Sequence, residues 1–172
     1  MNRTLPATSP STKWPKVLTP LSPSQQQISD AFMKLWHEEL PRNYQAIEHF
    51  NHSFPVRFSP EGFNTTLEIG AGLGEHLQYE KLSVIQQASY YCNELRANML
   101  DRIKATHPSV KTILGDCQKP LDFPDGFFDR VLAIHVLEHL PDLPSALAEI
   151  HRLLKKPAGK FLVVIPCEGG AA

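Results

Sequence analysis

From Thr65 onward the chain alternates short apolar runs with longer stretches of helical periodicity. The apolar runs Thr65–Ile69, Ser89–Asn93, Val110–Leu114, Arg130–Ile134 and Lys160–Ile165 have strand length. Helices are predicted between them near Glu75–Gln87, Leu95–Thr106 and Leu143–Leu154. Such alternation marks repeated βαβ units and a parallel sheet. Ahead of it, Ile28, Phe32, Leu35 and Trp36 recur at helical spacing from Ser24 to Leu40, with Ser22 or Ser24 as cap and Pro41 as stop. A short helix from Tyr44 to Phe50, with Ile47 and Phe50 on one face, leads into the turn-rich segment Asn51 to Gly62. Both early helices are expected to pack outside the main sheet, as lid or packing elements. The pattern divides the chain into a leader (1–22), N-terminal helices (23–62) and an α/β domain (63–172).

Composition narrows the picture further. A chain of 172 residues suits one core of ordinary size. The net charge of -1 and the absence of any long run of like charge give nucleic acid no electrostatic support as a partner. The longest apolar runs fall far short of the roughly 20 residues of a membrane span. Cys92, Cys117 and Cys167 are scattered, without the spacing of a zinc site or disulfide framework, which fits a reducing, cytoplasmic setting. The leader is rich in Pro, Ser and Thr and carries no acid before Asp30. It has no apolar segment of signal-peptide type, and its prolines would break the amphipathic helix of a transit peptide.

The chemistry concentrates after the first strand. Leu67-Glu68-Ile69-Gly70-Ala71-Gly72-Leu73-Gly74 runs a strand into a glycine-rich turn, where backbone can approach a ligand closely. A dinucleotide fingerprint needs its third glycine at position 75, which is Glu75 here. That carboxylate would repel a pyrophosphate at a helix N-terminus, so a cofactor without phosphates suits the loop better. Glu94 follows the second strand, where a carboxylate can accept from both hydroxyls of a ribose. Asp116 ends the third, in Leu114-Gly115-Asp116-Cys117.

Glu68 to Gly74 resembles the E/D-x-G-x-G-x-G first motif of class I S-adenosylmethionine-dependent methyltransferases. Phe128-Asp129-Arg130-Val131 and Leu137-Glu138-His139-Leu140 are similar to the F-D-x-V strand and L-E-H-L continuation of the small-molecule, type 11-like group within that class. Leu154-Lys155-Lys156-Pro157-Ala158-Gly159 departs from the usual L-K-P-G-G by one inserted lysine and one alanine. The resemblance covers roughly residues 63 to 168. It implies a Rossmann-like, doubly wound α/β fold with strand order 3-2-1-4-5 and S-adenosyl-L-methionine at the carboxyl ends of the strands. The cofactor-binding set it implies is Glu68, Gly70, Ala71, Gly72, Gly74, Glu94, Leu95, Asp116 and Cys117, with Asp116 accepting from the adenine amino group. The acceptor of the methyl group is expected to be a small molecule. His135, at the end of the fourth strand, is the candidate general base. Tyr90, Tyr91, Phe127 and Phe128 read as sheet core, and His37, Glu38 and Glu39 as a solvated helix end.

Two other readings compete. His135-Val136-Leu137-Glu138-His139 also matches H-x-x-E-H, a zinc hydrolase pattern that needs both histidines on one helical face. Alternatively, the domain keeps the cofactor pocket without chemistry. A complete fold of the resembled class carries two strands beyond the fifth, so the chain is expected to be a shortened enzyme or to complete its sheet by self-association through the exposed fifth strand.

Overall fold

The computed structural model describes residues 13–17, 19–38 and 45–165. Five parallel strands form one sheet: β1 (Thr66–Ile69), β2 (Tyr90–Glu94), β3 (Lys111–Leu114), β4 (Arg130–Ile134) and β5 (Lys160–Val164), in the order β3-β2-β1-β4-β5. The expected order holds, and each strand lies within two residues of its predicted bounds. The helices are α1 (Pro23–Glu38), α2 (Gln45–Phe58), α3 (Val84–Ala88), α4 (Ala97–Thr106) and α5 (Leu143–Leu153).

Register sorts the side chains onto two faces. Leu67, Tyr91 and Val131 are aligned partners on the first face, while Thr66, Tyr90 and Arg130 are partners on the second. The first face packs on α5, through Leu67, Ile69 and Val131 against Ala146, Ile150 and Leu153. These α5 positions recur at helical spacing, and the Asp142 side chain caps the helix by accepting from Ser145 N–H. The second face lies under α4 near β2 and β3, and under α2 near β4 and β5. The order reverses between β1 and β4, so right-handed crossovers must use opposite faces on either side of that point. The ligand crevice of such a fold opens there, at the carboxyl ends.

Two expectations need correction. The predicted helix Glu75–Gln87 is a 3-10 turn over Glu75–Tyr79 followed, after an extended Glu80, by the separate α3. Ser83 starts α3 with a reciprocal capping box to Gln86, and such a cap begins a new helix rather than continuing an old one. The predicted turn-rich segment after Phe50 is helical as far as Phe58, even with Pro55 inside it. Burial of Pro55 and of His52, which packs on His76 and Tyr79, overrides the local turn signals there.

In α1, Ile28 is 70 % exposed, so that position of its apolar stripe buries nothing. The side chains of Phe32, Leu35, Trp36 and His37 lie outside the described residues, as do Glu39, Leu40, Pro41 and the tail from 166. Tyr90 and Phe128 are fully buried, and Tyr91 packs edge-on against Phe123, Phe127 and Phe128, as core aromatics do.

Candidate functional site

The glycine loop leaves β1 with three left-handed residues at alternate positions, Gly70 (φ 63°), Gly72 (φ 58°) and Gly74 (φ 85°). Only glycine takes this conformation without penalty. At Gly70 a Cβ would also lie 2.5 Å from Val136 Cγ2, so space and backbone both demand glycine. The loop is fastened to β2 by Ala71 N–H donating to the Asn93 carbonyl at 3.0 Å. Glu75 turns back and accepts from Leu73 N–H at 3.0 Å. One amide of the loop is thus already answered by a carboxylate, and a phosphate would meet that negative charge.

Glu94 closes β2 and is nearly buried. Its Oε1 accepts from Leu95 N–H at 3.0 Å, Arg96 N–H at 3.2 Å and Arg96 Nε at 3.2 Å. These bonds hold the carboxylate in one pose, and Oε2 has no bonded partner among the described residues. Beside it Leu95 is 62 % exposed, an apolar surface that the described residues leave uncovered. Gly115 N–H donates to the Glu94 carbonyl at 3.1 Å, which brings Asp116 to the same end of the sheet. Asp116 Oδ1 accepts from the Gln118 backbone at 3.0 Å and its side chain at 2.9 Å. Two fixed carboxylates and a bare apolar side chain therefore border the glycine loop at the carboxyl ends of β2 and β3. That donor and acceptor set suits a ribose with an attached amino-bearing ring.

Of the nine expected cofactor residues, Glu68, Ala71 and Cys117 place their side chains in buried packing. Glu68 faces the second side of the sheet, where Tyr90 OH donates to its Oε2 at 2.7 Å. Burial pushes the Glu68 carboxyl above the usual range. Cys117 belongs to the apolar core, and burial pushes its thiol up to about 11. Only the backbone of Ala71 and Cys117 can serve a ligand.

His135 follows β4 in the left-handed region, at φ 55°, the one described non-glycine residue with positive φ. Such strain in a non-glycine residue persists where surrounding structure enforces it. Its N–H donates to the Val164 carbonyl at 2.8 Å. The Asn51 side-chain Nδ2, from α2, lies 2.9 Å from His135 Nε2, and an amide N–H can only donate there. Nδ1 points to Glu138 Oε1 at 3.7 Å, and Glu138 Oε2 is buried with no hydrogen-bond partner among the described residues. Asn51 is a site residue that the sequence reading missed, because its segment was read as turns. Leu137–His139 forms one 3-10 turn after an irregular Val136, so the helical face required by a zinc-hydrolase pattern does not form.

Beneath the site lies a buried polar cluster that periodicity did not reveal. Arg130 is fully buried on the second face; its Nε donates to Thr66 Oγ1 at 2.7 Å and its Nη1 to Ser59 Oγ at 2.5 Å. Its Nη2 sits 2.6 Å from Glu80 Oε1, close enough for an ion pair although the N–H is not aimed at the oxygen. The Phe63 ring covers the guanidinium at 3.8 Å. His76 Nε2 reaches the same Glu80 oxygen at 3.0 Å. Together the bonds from His76 and the charge of Arg130 outweigh burial and hold the Glu80 carboxyl below its usual range.

This order of strands, with a glycine loop and acids at their carboxyl ends, defines a Rossmann-like domain of the methyltransferase kind. Residues 67–163 match the methyltransferase domain family, and the chain belongs to it. The sterol 4-C-methyltransferase strm-1 of Caenorhabditis elegans is 32 % identical over 105 residues, covering 56 % of this chain and 29 % of that protein. The human mitochondrial arginine-hydroxylase NDUFAF5 is 31 % identical over 103 residues, covering 60 % of this chain and 29 % of its own length. The chain thus spans under a third of these two relatives. Among solved structures, the [4+2]-cyclase SpnF superposes with a TM-score of 0.61 at 21 % identity, over 74 % of this chain and 49 % of that one. No helix among the described residues is long and apolar enough to cross a membrane.

Proposed function

We propose that the chain binds S-adenosyl-L-methionine across Gly70, Gly72, Glu94 and Asp116 and transfers its methyl group to a small-molecule acceptor. The observation that carries this reading is the convergence of the left-handed glycine loop, Glu94 and Asp116 at the carboxyl ends of β1, β2 and the segment after β3. Glu94 would accept from the ribose hydroxyls and Asp116 from the adenine amino group, with Leu95 against the ring. Gly74 and the backbone of Ala71 and Cys117 shape the cradle, and Glu68 supports it from below through Tyr90. When bound, the cofactor supplies a methyl group on a sulfonium, activated for in-line displacement. Positioning then contributes much of the rate. His135 Nε2 takes a proton from an acceptor that must lose one, once the Asn51 amide yields its place.

We assign residues 1–22 to a leader, 23–62 to N-terminal helices and 63–172 to the methyltransferase domain, on whose sheet α2 packs. The free, buried thiols of Cys92 and Cys117 support a cytoplasmic setting, which imaging of the tagged chain would check. The edge of β5 supports self-association, which sedimentation would check by a shift from monomer to dimer with concentration.

A second reading keeps the cofactor pocket without methyl transfer. It is supported by relatives and neighbours whose names describe a hydroxylation and a cyclisation. Methyl-labelled S-adenosyl-L-methionine, offered with a panel of small hydroxyl, amine and carbon acceptors, separates the two. Label moved to an acceptor, with at least about 100-fold loss in His135→Asn, supports base-assisted transfer. Binding without transfer to any acceptor supports the second reading.

A further inference from the structure

The two edges of the sheet are finished differently. β3, at one edge, opens on exposed Lys111, and the helix packed on it, α4, turns Asp101, Arg102 and Lys104 to solvent. Charge of this kind blunts an open strand edge. β5, at the other edge, has no charge from Phe161 to Ile165, and Ile165 is exposed. The direction of its backbone groups is set by their bonds to the neighbouring strand. Lys160 N–H donates to the Asp129 carbonyl, and the Val164 carbonyl accepts from His135 N–H, both on the β4 side. Bonding sides alternate along a strand, so Phe161 and Val163 direct their N–H and C=O away from the sheet.

The helix above this edge is apolar on the same side. α2 lies over β4 and β5, and its His52 stacks against Tyr79 and His76 of the 3-10 turn, which leaves β1 through the glycine loop. At about 100° per residue, Phe50, Phe54 and Phe58 fall roughly opposite His52 on the helix. They therefore line the flank that overhangs β5. All three are exposed, Phe50 by 67 %. Phe54 and Phe58 meet with ring centroids 4.7 Å apart, so the flank is an aromatic ridge rather than separate side chains.

We propose that this margin pairs with the same margin of a second copy, β5 with β5 antiparallel and α2 against α2 over the seam. The inference deepens the reading of self-association through β5 and rests on it. Self-complementarity selects a second copy. A two-fold axis perpendicular to the sheet joins two edges antiparallel and keeps each face on its own side, so the ridge of one copy meets the ridge of the other. The distance fits. With strands about 4.8 Å apart, helices that straddle β4 and β5 come to lie two spacings, about 10 Å, from each other, which is the axis separation of packed helices. Charge fits as well. Antiparallel pairing sends the two Lys160 ammonium groups to opposite ends of the seam, where parallel pairing in register would set them side by side. A net charge of -1 per chain opposes association little.

Sedimentation and hydrogen exchange of the full chain test the margin together. Monomer is expected to give way to dimer as concentration rises. The Phe161 and Val163 amides should gain protection in step, at least about tenfold, while the β4 amides stay constant. Phe50→Asp places a carboxylate at the seam and should raise the dissociation constant at least about tenfold. Val163→Pro removes an outward N–H and no bond to β4, and should do the same. If that variant does not fold, Phe50→Asp alone decides. A dimer of unchanged affinity in these variants overturns the margin and leaves self-association by another surface standing. Monomer at every concentration overturns both. Protection of the outward amides at all concentrations would show that the chain's own segment covers the edge, which also overturns the proposal. S-adenosyl-L-methionine takes no part in these measurements, so failure of the methyl-transfer reading leaves them untouched.

Discussion

Against α5 the sheet presents Leu67, Ile69 and Val131, and the helix answers with Ala146, Ile150 and Leu153. On the opposite face Arg130, aligned with Thr66 and Tyr90, reaches Ser59 just past α2, while α2 sets His52 against His76 and Tyr79 of the 3-10 turn. The first contact is non-directional and depends on area removed from water. The second depends on directed bonds and on charge, so one lost partner leaves another stranded. The α2 layer is also the one that carries Asn51 to His135. The site is thus attached to the face whose stability titrates, while the apolar face serves as a pH-independent base.

The largest effect expected from this contrast is at Arg130. Arg130→Met leaves Glu80 buried without its cation and should cost about 3 to 5 kcal/mol by denaturant unfolding. A cost under about 1 kcal/mol would show that the polar face is not a connected network. Next comes acid. His52 has its pKa lowered from 6.5 to about 4 by burial first, then by His76 and His135. Its contribution is fully present above about pH 6.5 and is lost as pH falls towards 4, on the order of 3 kcal/mol in all. Urea midpoints measured across that range should fall in the unaltered chain and flatten in His52→Phe. On the apolar face, Ile150→Val should cost about 1 kcal/mol with the same pH profile as the parent. The smallest effect is at exposed Ile28, where Ile28→Ser should stay within about 0.5 kcal/mol. A larger loss there would mean that α1 docks through that residue.

The apolar face was legible because it obeys one rule along the whole chain. Alternate strand residues and the i, i+4, i+7 positions Ala146, Ile150 and Leu153 are all apolar, and their periods announce the strands and α5. The glycine loop, Glu94 and Asp116 were legible as well, since each sits at a strand end where spacing fixes it. The polar face follows no period. Arg130 opens an otherwise apolar run, and its partners Ser59, Thr66 and Glu80 lie far apart in sequence. Their pairing is a tertiary fact. For the same reason the break in Glu75–Gln87 was not seen: Glu80 leaves helical geometry and meets Arg130 and His76 on the sheet. Asn51 and His52 were concealed because Pro55 and the polar run around them read as turns, whereas contact with β4 and β5 makes them helix. The H-x-x-E-H string shows the converse error, since a pattern that matches in spacing is bent by the left-handed His135 into a different shape.

Calorimetric titration of the full chain with S-adenosyl-L-methionine, repeated on Glu94→Ala, tests the cofactor site most directly. The account predicts one site per chain, weakened in Glu94→Ala by about 1.5 to 3 kcal/mol through loss of a charge-assisted hydrogen-bonding partner. A nicotinamide dinucleotide should bind more weakly, because the Glu75 carboxylate faces the loop that its phosphates would need. Tighter binding of the dinucleotide than of S-adenosyl-L-methionine, or an unchanged affinity in Glu94→Ala, would contradict it.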